Sequence, residues 1–232
     1  MAVCLIYIGM SSLDFTLWLE ARENRPIVFS DMDETIVHNM EIGWLKDSPE
    51  NKKFAKMVVP GKHPYPDVKE IHAEGHDMYV FPRPGSTNFL KAINHFADFV
   101  FLSHSDIDYV HKVIKVMDWG KYVKGAYSTG DTKPGELAKK YNLADRKWLL
   151  VDNLHIHSVE ICNKLRILGL GIDVHDPHEI VKRIMAKADE HFIDVTDWVP
   201  TVAEYDDFEL WNTLPKIKQK FGLDWSNDDL AK

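Results

Sequence analysis

Four short clusters of polar residues carry side chains able to do chemistry together. Asp31-Met32-Asp33-Glu34-Thr35 follows the apolar run Pro26-Ile27-Val28-Phe29-Ser30, and Ser103-His104-Ser105 follows Phe99-Val100-Phe101-Leu102. Asp152-Asn153 follows Trp148-Leu149-Leu150-Val151, and Lys133-Pro134 opens a helical stretch. Two carboxylates two residues apart, with a third beyond another strand, make a hard oxygen cluster that suits Mg2+ and repels itself without a cation. With Mg2+ and Lys133 screening its charge, Asp31 can act as a nucleophile toward phosphorus. Asp33 can protonate a leaving oxygen and later take a proton from water. Ser103 and backbone N–H groups would hold the equatorial phosphate oxygens as charge spreads, and the helix start beside Lys133 favours an anion. The chemistry implied is hydrolysis of a phosphate ester through a phospho-aspartate.

Residues so far apart in sequence share a site only if a sheet gathers them. In an open α/β sheet, ligands collect beyond the carboxyl ends of the strands, which is where all three acidic or hydroxyl clusters fall. The patterning predicts strands over 26–30, 78–81, 99–102, 148–151 and 192–195. It predicts helices over 86–96, 106–117, 133–141, 158–168, 177–188 and 208–221. Strands separated by helices of this length imply right-handed crossovers and a parallel sheet. From 41 to 77 the chain turns polar, with Pro49, Pro60, Gly61, Pro64, Pro66 and Gly75 as punctuation, which reads as an inserted flap or hairpin. Residues 1–24 read as an appendage with an apolar run and a short helix that Ser12 could cap.

At about 150 residues per domain, 232 residues point to one domain with an elaboration. With 45% hydrophobic and 28% charged residues, a folded core can be built. A net charge of −8 argues against a broad polyphosphate-binding surface, so nucleic acid would enter only as a phosphorylated end. The longest apolar run, 2–10, is far short of the roughly 20 residues of a spanning helix, and it lacks the basic flank of a signal peptide. Cys4 and Cys162 form neither a disulfide framework nor a metal spacing, so a soluble, unsecreted, intracellular protein with no membrane partner is expected.

Asp31-Met32-Asp33-Glu34-Thr35-Ile36-Val37 resembles the DxDxT signature of the haloacid dehalogenase (HAD) superfamily, in the DLDETLV form of the FCP/SCP phosphatases, also called the NLI-interacting-factor family. Tyr79-Val80-Phe81-Pro82-Arg83-Pro84 with Phe89-Leu90 is similar to that family's YVLKRP…FL segment. Phe99 to Ser103 resembles its second motif, Lys133 its third, and Trp148 to Asn153 its fourth; 205–215 resembles its closing helix. The resemblance spans about 26–222. It implies an α/β, HAD-like Rossmannoid three-layer fold with a central parallel sheet and a flap insertion after the first strand. That domain, 26–222, would carry a flap at about 41–77 and an extra helical segment at about 155–192, between an extension at 1–25 and a tail at 223–232. The resemblance also implies Mg2+ held by Asp31, the main-chain carbonyl of Asp33 and Asp152, with Asn153 beside it. Phosphate and substrate contacts fall to Thr35, Arg83, Ser103, His104 and Lys133, and phosphoserine or phosphothreonine in a protein is the implied substrate.

The chain departs from the family pattern in three places. Ser103 stands where the family has Thr, which keeps the hydroxyl. Leu154-His155-Ile156-His157 replaces the family's Pro after the Asp-Asn pair. The stretch from Lys133 to Asp152 is long, which leaves Lys139 and Lys140 as alternative third-motif lysines. Arg83 is either the fork that meets the substrate's phosphate or an ordinary loop arginine. His155 and His157 alternate like metal ligands but lack a third, and Trp44, Tyr65 and Tyr79 could grip a substrate or pack the flap. Two other readings stand beside a protein phosphatase: the same chemistry on a nucleotide, a nucleic-acid end or a small metabolite, and a binding module that has lost catalysis. Intact Asp31, Asp33, Lys133 and Asp152 count against the last.

Overall fold

The structure is a computed structural model that describes residues 25–43, 67–129, 134–153, 177–198 and 207–223. Residues 1–24, Trp44, Tyr65, Lys133, the helix expected over 158–168, His155, His157, Cys4 and Cys162 lie outside the described residues.

Five strands form a parallel sheet in the order β6-β5-β1-β7-β8: β1 Ile27–Ser30, β5 Asp98–Ser103, β6 Val123–Ser128, β7 Trp148–Asp152 and β8 Phe192–Asp194. β1, β5 and β7 read as unbroken apolar runs because helices cover both faces of the sheet. Val28, Phe99, Phe101, Leu149 and Val151 face one core, with α1 (Ser86–Phe96), α2 (Ile107–Val116) and α5 (Glu209–Phe221) packed over them. Ile27, Phe29, Val100, Leu102 and Leu150 face the other, against α3 (Pro134–Lys140) and α4 (Pro177–His191). Successive residues of a strand thus feed opposite layers, which is the three-layer arrangement of a HAD-like fold.

Helix positions follow from spacing and caps. Phe89, Leu90 and Ile93 put one buried face on α1, whose start is set by Gly85 in the left-handed region at φ 78°. Asp106 caps α2 by accepting from the Asp108 N–H at 2.7 Å, and Tyr109, Val110 and Val113 form its inner face. Leu210, Leu214, Ile217 and Phe221 do the same for α5, which ends at Gly222 with φ 70°.

A second, antiparallel sheet, β2-β4-β3, is built from Val37–Glu41, His76–Pro82 and Lys69–Ala73. It is the base of the flap. It begins at Val37, four residues earlier than the polarity change at 41, because buried Val37 and Met40, on opposite faces of the strand, pair with Pro82 and Tyr79. The sequence reading also missed the edge strand β6. Its residues, Val123-Lys124-Gly125-Ala126-Tyr127-Ser128, are half-buried and broken by a glycine. A Cβ on Gly125 would lie 2.8 Å from the Tyr141 hydroxyl and 3.1 Å from the Tyr127 ring, so any side chain there would force a tyrosine to shift.

Candidate active site

β1 is the middle strand, so the loop after it emerges at the centre of the sheet's carboxyl edge. The Asp31 N–H donates to the carbonyl of Val151 at 3.0 Å, extending the β1–β7 ladder one residue past the register pair Ser30–Val151. Asp31 and Asp152 are therefore neighbours on adjacent parallel strands, about 4.8 Å apart along the hydrogen-bonding direction. Both are buried, Asp31 at 7% exposure and Asp152 at 0%. Burial pushes the Asp31 carboxyl well above the ordinary carboxylate range, and the charges of Asp152, Asp33 and Glu34 push it further, against a single lowering hydrogen bond from the Met32 backbone.

The loop itself is folded tightly. Met32 is fully buried in the core, and its carbonyl accepts from the Ile36 and Val37 N–H groups at 2.9 and 3.0 Å. Glu34 takes the left-handed conformation at φ 62° that closes the turn. Burial and the charges of Asp197 and Asp33 hold the Glu34 carboxyl above its usual range.

Asp33 is caged. Its Oδ1 accepts from Asn39 Nδ2 at 2.8 Å and from the Tyr109 hydroxyl at 2.6 Å, and its Oδ2 from the Ser105 hydroxyl at 2.6 Å. Asn39 lies on β2, Ser105 after β5 and Tyr109 on α2, so one carboxylate joins the flap sheet to the main sheet. Sequence reasoning singled out neither Asn39 nor Tyr109. The available signals were a polar residue inside a half-buried strand and a tyrosine on the apolar face of a helix. Burial first, then the Asp33 charge and hydrogen bond, keep the Tyr109 phenol well above its normal value, so it stays a donor.

The other expected residues are distributed around these. Ser103 is buried at the end of β5, and its hydroxyl accepts from the Ser105 N–H at 3.1 Å. His104 Nδ1 is 2.6 Å from the Thr129 hydroxyl, beyond the end of β6. Thr35 is fully buried, with its hydroxyl 3.4 Å from Asn153 Oδ1, and the Asn153 amide donates to Asp197 at 2.5 Å. Lys139 and Lys140 are at the far end of α3, about 1.5 Å per residue away from its start, and Lys140 Nζ rests 4.8 Å from the centre of the Tyr127 ring.

Arg83 turns inward. It is 2% exposed, and its guanidinium is spent on Asp207, Glu209 and the carbonyls of Thr35 and Thr196, at 2.6 to 3.2 Å. Four of its five N–H donors are thus engaged inside the protein, by two carboxylates and two carbonyls. A cavity of about 590 Å³ near Arg83, lined also by Lys69, Asn88 and Asp118, contains none of the acidic loop residues.

No group of three His, Cys, Asp or Glu side chains placed to hold a metal is found among the described residues. Two buried carboxylates on adjacent strand ends nonetheless fit a hard divalent cation, which would offset both the burial and the repulsion by Asp152 that raise Asp31. The model of the NLI interacting factor-like phosphatase family matches residues 26–159. The chain belongs to this family. The family is described as one of phosphatases.

Among solved structures the family member is similar to Fcp1, an essential RNA polymerase II CTD phosphatase, at 19% identity and a TM-score of 0.48 over 89% of this chain and 65% of that one. A fission yeast Fcp1 variant bound to beryllium fluoride matches at 14% identity and 0.45, covering 94% of this chain and 72% of the other. The HAD domain of the Legionella pneumophila effector Lem4 matches at 14% and 0.39, covering 85% and 98%. The chain thus spans just under two thirds of the first of these. No curated protein matches the sequence. No helix among the described residues is long and apolar enough to cross a membrane.

Proposed function

We propose that this family member is a Mg2+-dependent phosphatase that hydrolyses phosphate monoesters through a phospho-aspartate on Asp31, with phosphoserine or phosphothreonine in protein as its substrate. The observation that carries this reading is the burial of Asp31 and Asp152 at adjacent strand ends, continued by the Asp31 to Val151 hydrogen bond. Asp31, Asp152 and the Asp33 carbonyl would hold the ion, with Asn153 alongside. When bound, Mg2+ supplies positive charge that lets a carboxylate approach a phosphate dianion.

Asp31 attacks phosphorus, forming an O–P bond as the ester O–P bond breaks, and the leaving oxygen takes a proton from Asp33. Both lone pairs of Asp33 Oδ1 are taken by Asn39 and Tyr109, whereas among the described residues Oδ2 accepts from Ser105 alone, so Oδ2 is the atom that carries the proton. Water then attacks the phospho-aspartate and gives its proton to Asp33, releasing phosphate and restoring both carboxyls. The Ser103 hydroxyl and Lys133 steady the phosphoryl oxygens, with Thr35 and His104 supporting the pocket wall. Lys133 is the better third-motif lysine because it precedes α3, while Lys140 is engaged by Tyr127.

Family membership carries the choice of a phosphoprotein substrate. Hydrolysis of p-nitrophenyl phosphate with and without Mg2+, in wild type and Asp31→Asn, tests the chemistry. Metal-dependent turnover lost in the variant is expected, and no turnover across pH would point to a binding module. A panel of phosphopeptides against nucleotides tests the substrate class, and comparable rates on both would remove the preference for protein.

A further inference from the structure

The four residues that run out of β8 hold both acidic loops at once. The Val195 N–H donates to the carbonyl of Asp152 at 3.2 Å, and the Trp198 N–H donates to the carbonyl of Glu34 at 2.7 Å. Asp197 Oδ1 accepts from Asn153. Among the described strands β8 pairs only with β7, and it is this strap that crosses from the Asp152 loop to the loop that bears Asp31. Between its two backbone hydrogen bonds the strap is neither helix nor strand, and side chains around it hold its middle.

Those side chains belong to one cluster. Arg83 Nη1 donates to the Thr35 carbonyl at 3.2 Å and to the Thr196 carbonyl at 3.1 Å, bridging loop and strap. Its Nε donates to Asp207 and its Nη2 to Glu209, each at 2.6 Å. Glu209 returns to the strap by accepting from the Thr196 N–H at 3.1 Å and from the Thr196 hydroxyl. Asp207 also accepts from the Glu209 N–H at 2.8 Å, which fixes the start of α5. Arg83 follows directly on β4, and its own N–H donates to the Ile36 carbonyl at 2.9 Å, so the guanidinium is anchored at its base as well as its tip.

We infer that Arg83 is a positioning residue: with Asp207 and Glu209 it clamps the 195–198 strap, and through the strap sets the spacing of the Asp31 and Asp152 loops. The start of the closing helix is then part of the machinery that aligns the site. A catalytic effect of the clamp rests on the phosphatase reading above, whereas attachment of the strap does not.

Arg83→Lys, which keeps the charge but not the planar fork, and Glu209→Gln, which removes one arm, test it together. The readouts are kcat and KM on p-nitrophenyl phosphate at saturating Mg2+, and backbone amide exchange in the metal-free protein. Misplacement of the reacting groups is expected to lower kcat by about 10²-fold with KM held within about threefold. The Val195 and Trp198 amides are expected to exchange about tenfold faster or more, while amides of β5 keep their rates. Wild-type kcat in both variants, a loss confined to KM, or exchange that quickens equally in β5 would overturn the clamp. If the wild type itself fails to turn over, the phosphatase reading falls and the exchange arm alone decides: selective loss of protection supports the clamp, and unchanged protection ends it.

Discussion

The hydroxyl of Tyr109 donates to Oδ1 of Asp33 over 2.6 Å, from a side chain only 2% exposed. A helix on one face of the main sheet thereby reaches the loop that follows its central strand. Tyr109→Phe keeps the ring in its core position and leaves Oδ1 with Asn39 alone. A hydrogen bond to a charged acceptor contributes about 1.5–3 kcal/mol, so kcat on p-nitrophenyl phosphate is expected to fall about tenfold or more with the half-saturating Mg2+ concentration unchanged. Wild-type kcat in this variant would show that the phenol does not order Asp33.

The two outer carboxylates are expected to separate by role. Asp33→Asn removes the proton carrier and leaves its main-chain carbonyl, so turnover is expected to fall by about 10²–10⁴-fold while Mg2+ binding, followed by calorimetry, stays near wild type. Asp152→Ala is expected to weaken Mg2+ binding itself. Equal weakening in both variants would refute this division.

Asp31 carries a stability cost in the metal-free protein. Its folded-state value is raised by burial and by the charges of Asp152 and Asp33, so its contribution is present below the ordinary value of 3.8 and is lost as pH rises through the raised one. At neutral pH, metal-free Asp31→Asn is therefore expected to melt higher than wild type, by about 2–4 °C for each kcal/mol relieved. Mg2+ is expected to raise the wild-type midpoint more than that of the variant, since at 100 times Kd a ligand adds about 2.7 kcal/mol. A metal-free variant that melts lower would show that Asp31 is compensated in place.

Glu209 behaves in the opposite sense. Burial alone would raise its carboxyl, but hydrogen bonds from Thr196 and the Arg83 guanidinium outweigh it and hold the group below its ordinary 4.5. A depressed acid stabilises the fold above its unfolded value and loses that contribution as pH falls through the folded one. The melting difference between wild type and Glu209→Gln is expected at about 2–4 °C near neutral pH, the shift that 1 kcal/mol gives in a chain of this size, and it is expected to shrink below the 4.5 reference. A difference that stays constant into acid would detach Glu209 from the Arg83 cluster.

Much of this architecture was legible residue by residue. Ile27–Ser30, Asp98–Ser103 and Trp148–Asp152 are unbroken apolar runs because both their faces are covered, and each ends in the polar residues that crown the sheet. The amphipathic spacing of α1, α2 and α5 was equally plain. β6 was not, because an edge strand needs few apolar residues and this one gives up a side chain at Gly125 to admit Tyr141. β4 was legible as a strand over 78–81, whereas β2 and β3 were hidden for a related reason: a small sheet with one wet face gives its edge strands few apolar residues.

The sequence by itself determined that carboxylates stand at the carboxyl ends of β1 and β7, since strand runs and the polar residues that end them are local properties of the chain. Only the tertiary structure decided what surrounds them. Arg83 could have faced a phosphate, and a motif cannot say otherwise. Its partners Asp207 and Glu209 lie more than 120 residues along the chain, and it is the docking of α5 against α1 and the main sheet that brings two carboxylates to one guanidinium and turns it inward. Asp33 met Asn39 and Tyr109 in the same way, because hydrogen-bond partners drawn from three separate elements exist only once those elements have packed.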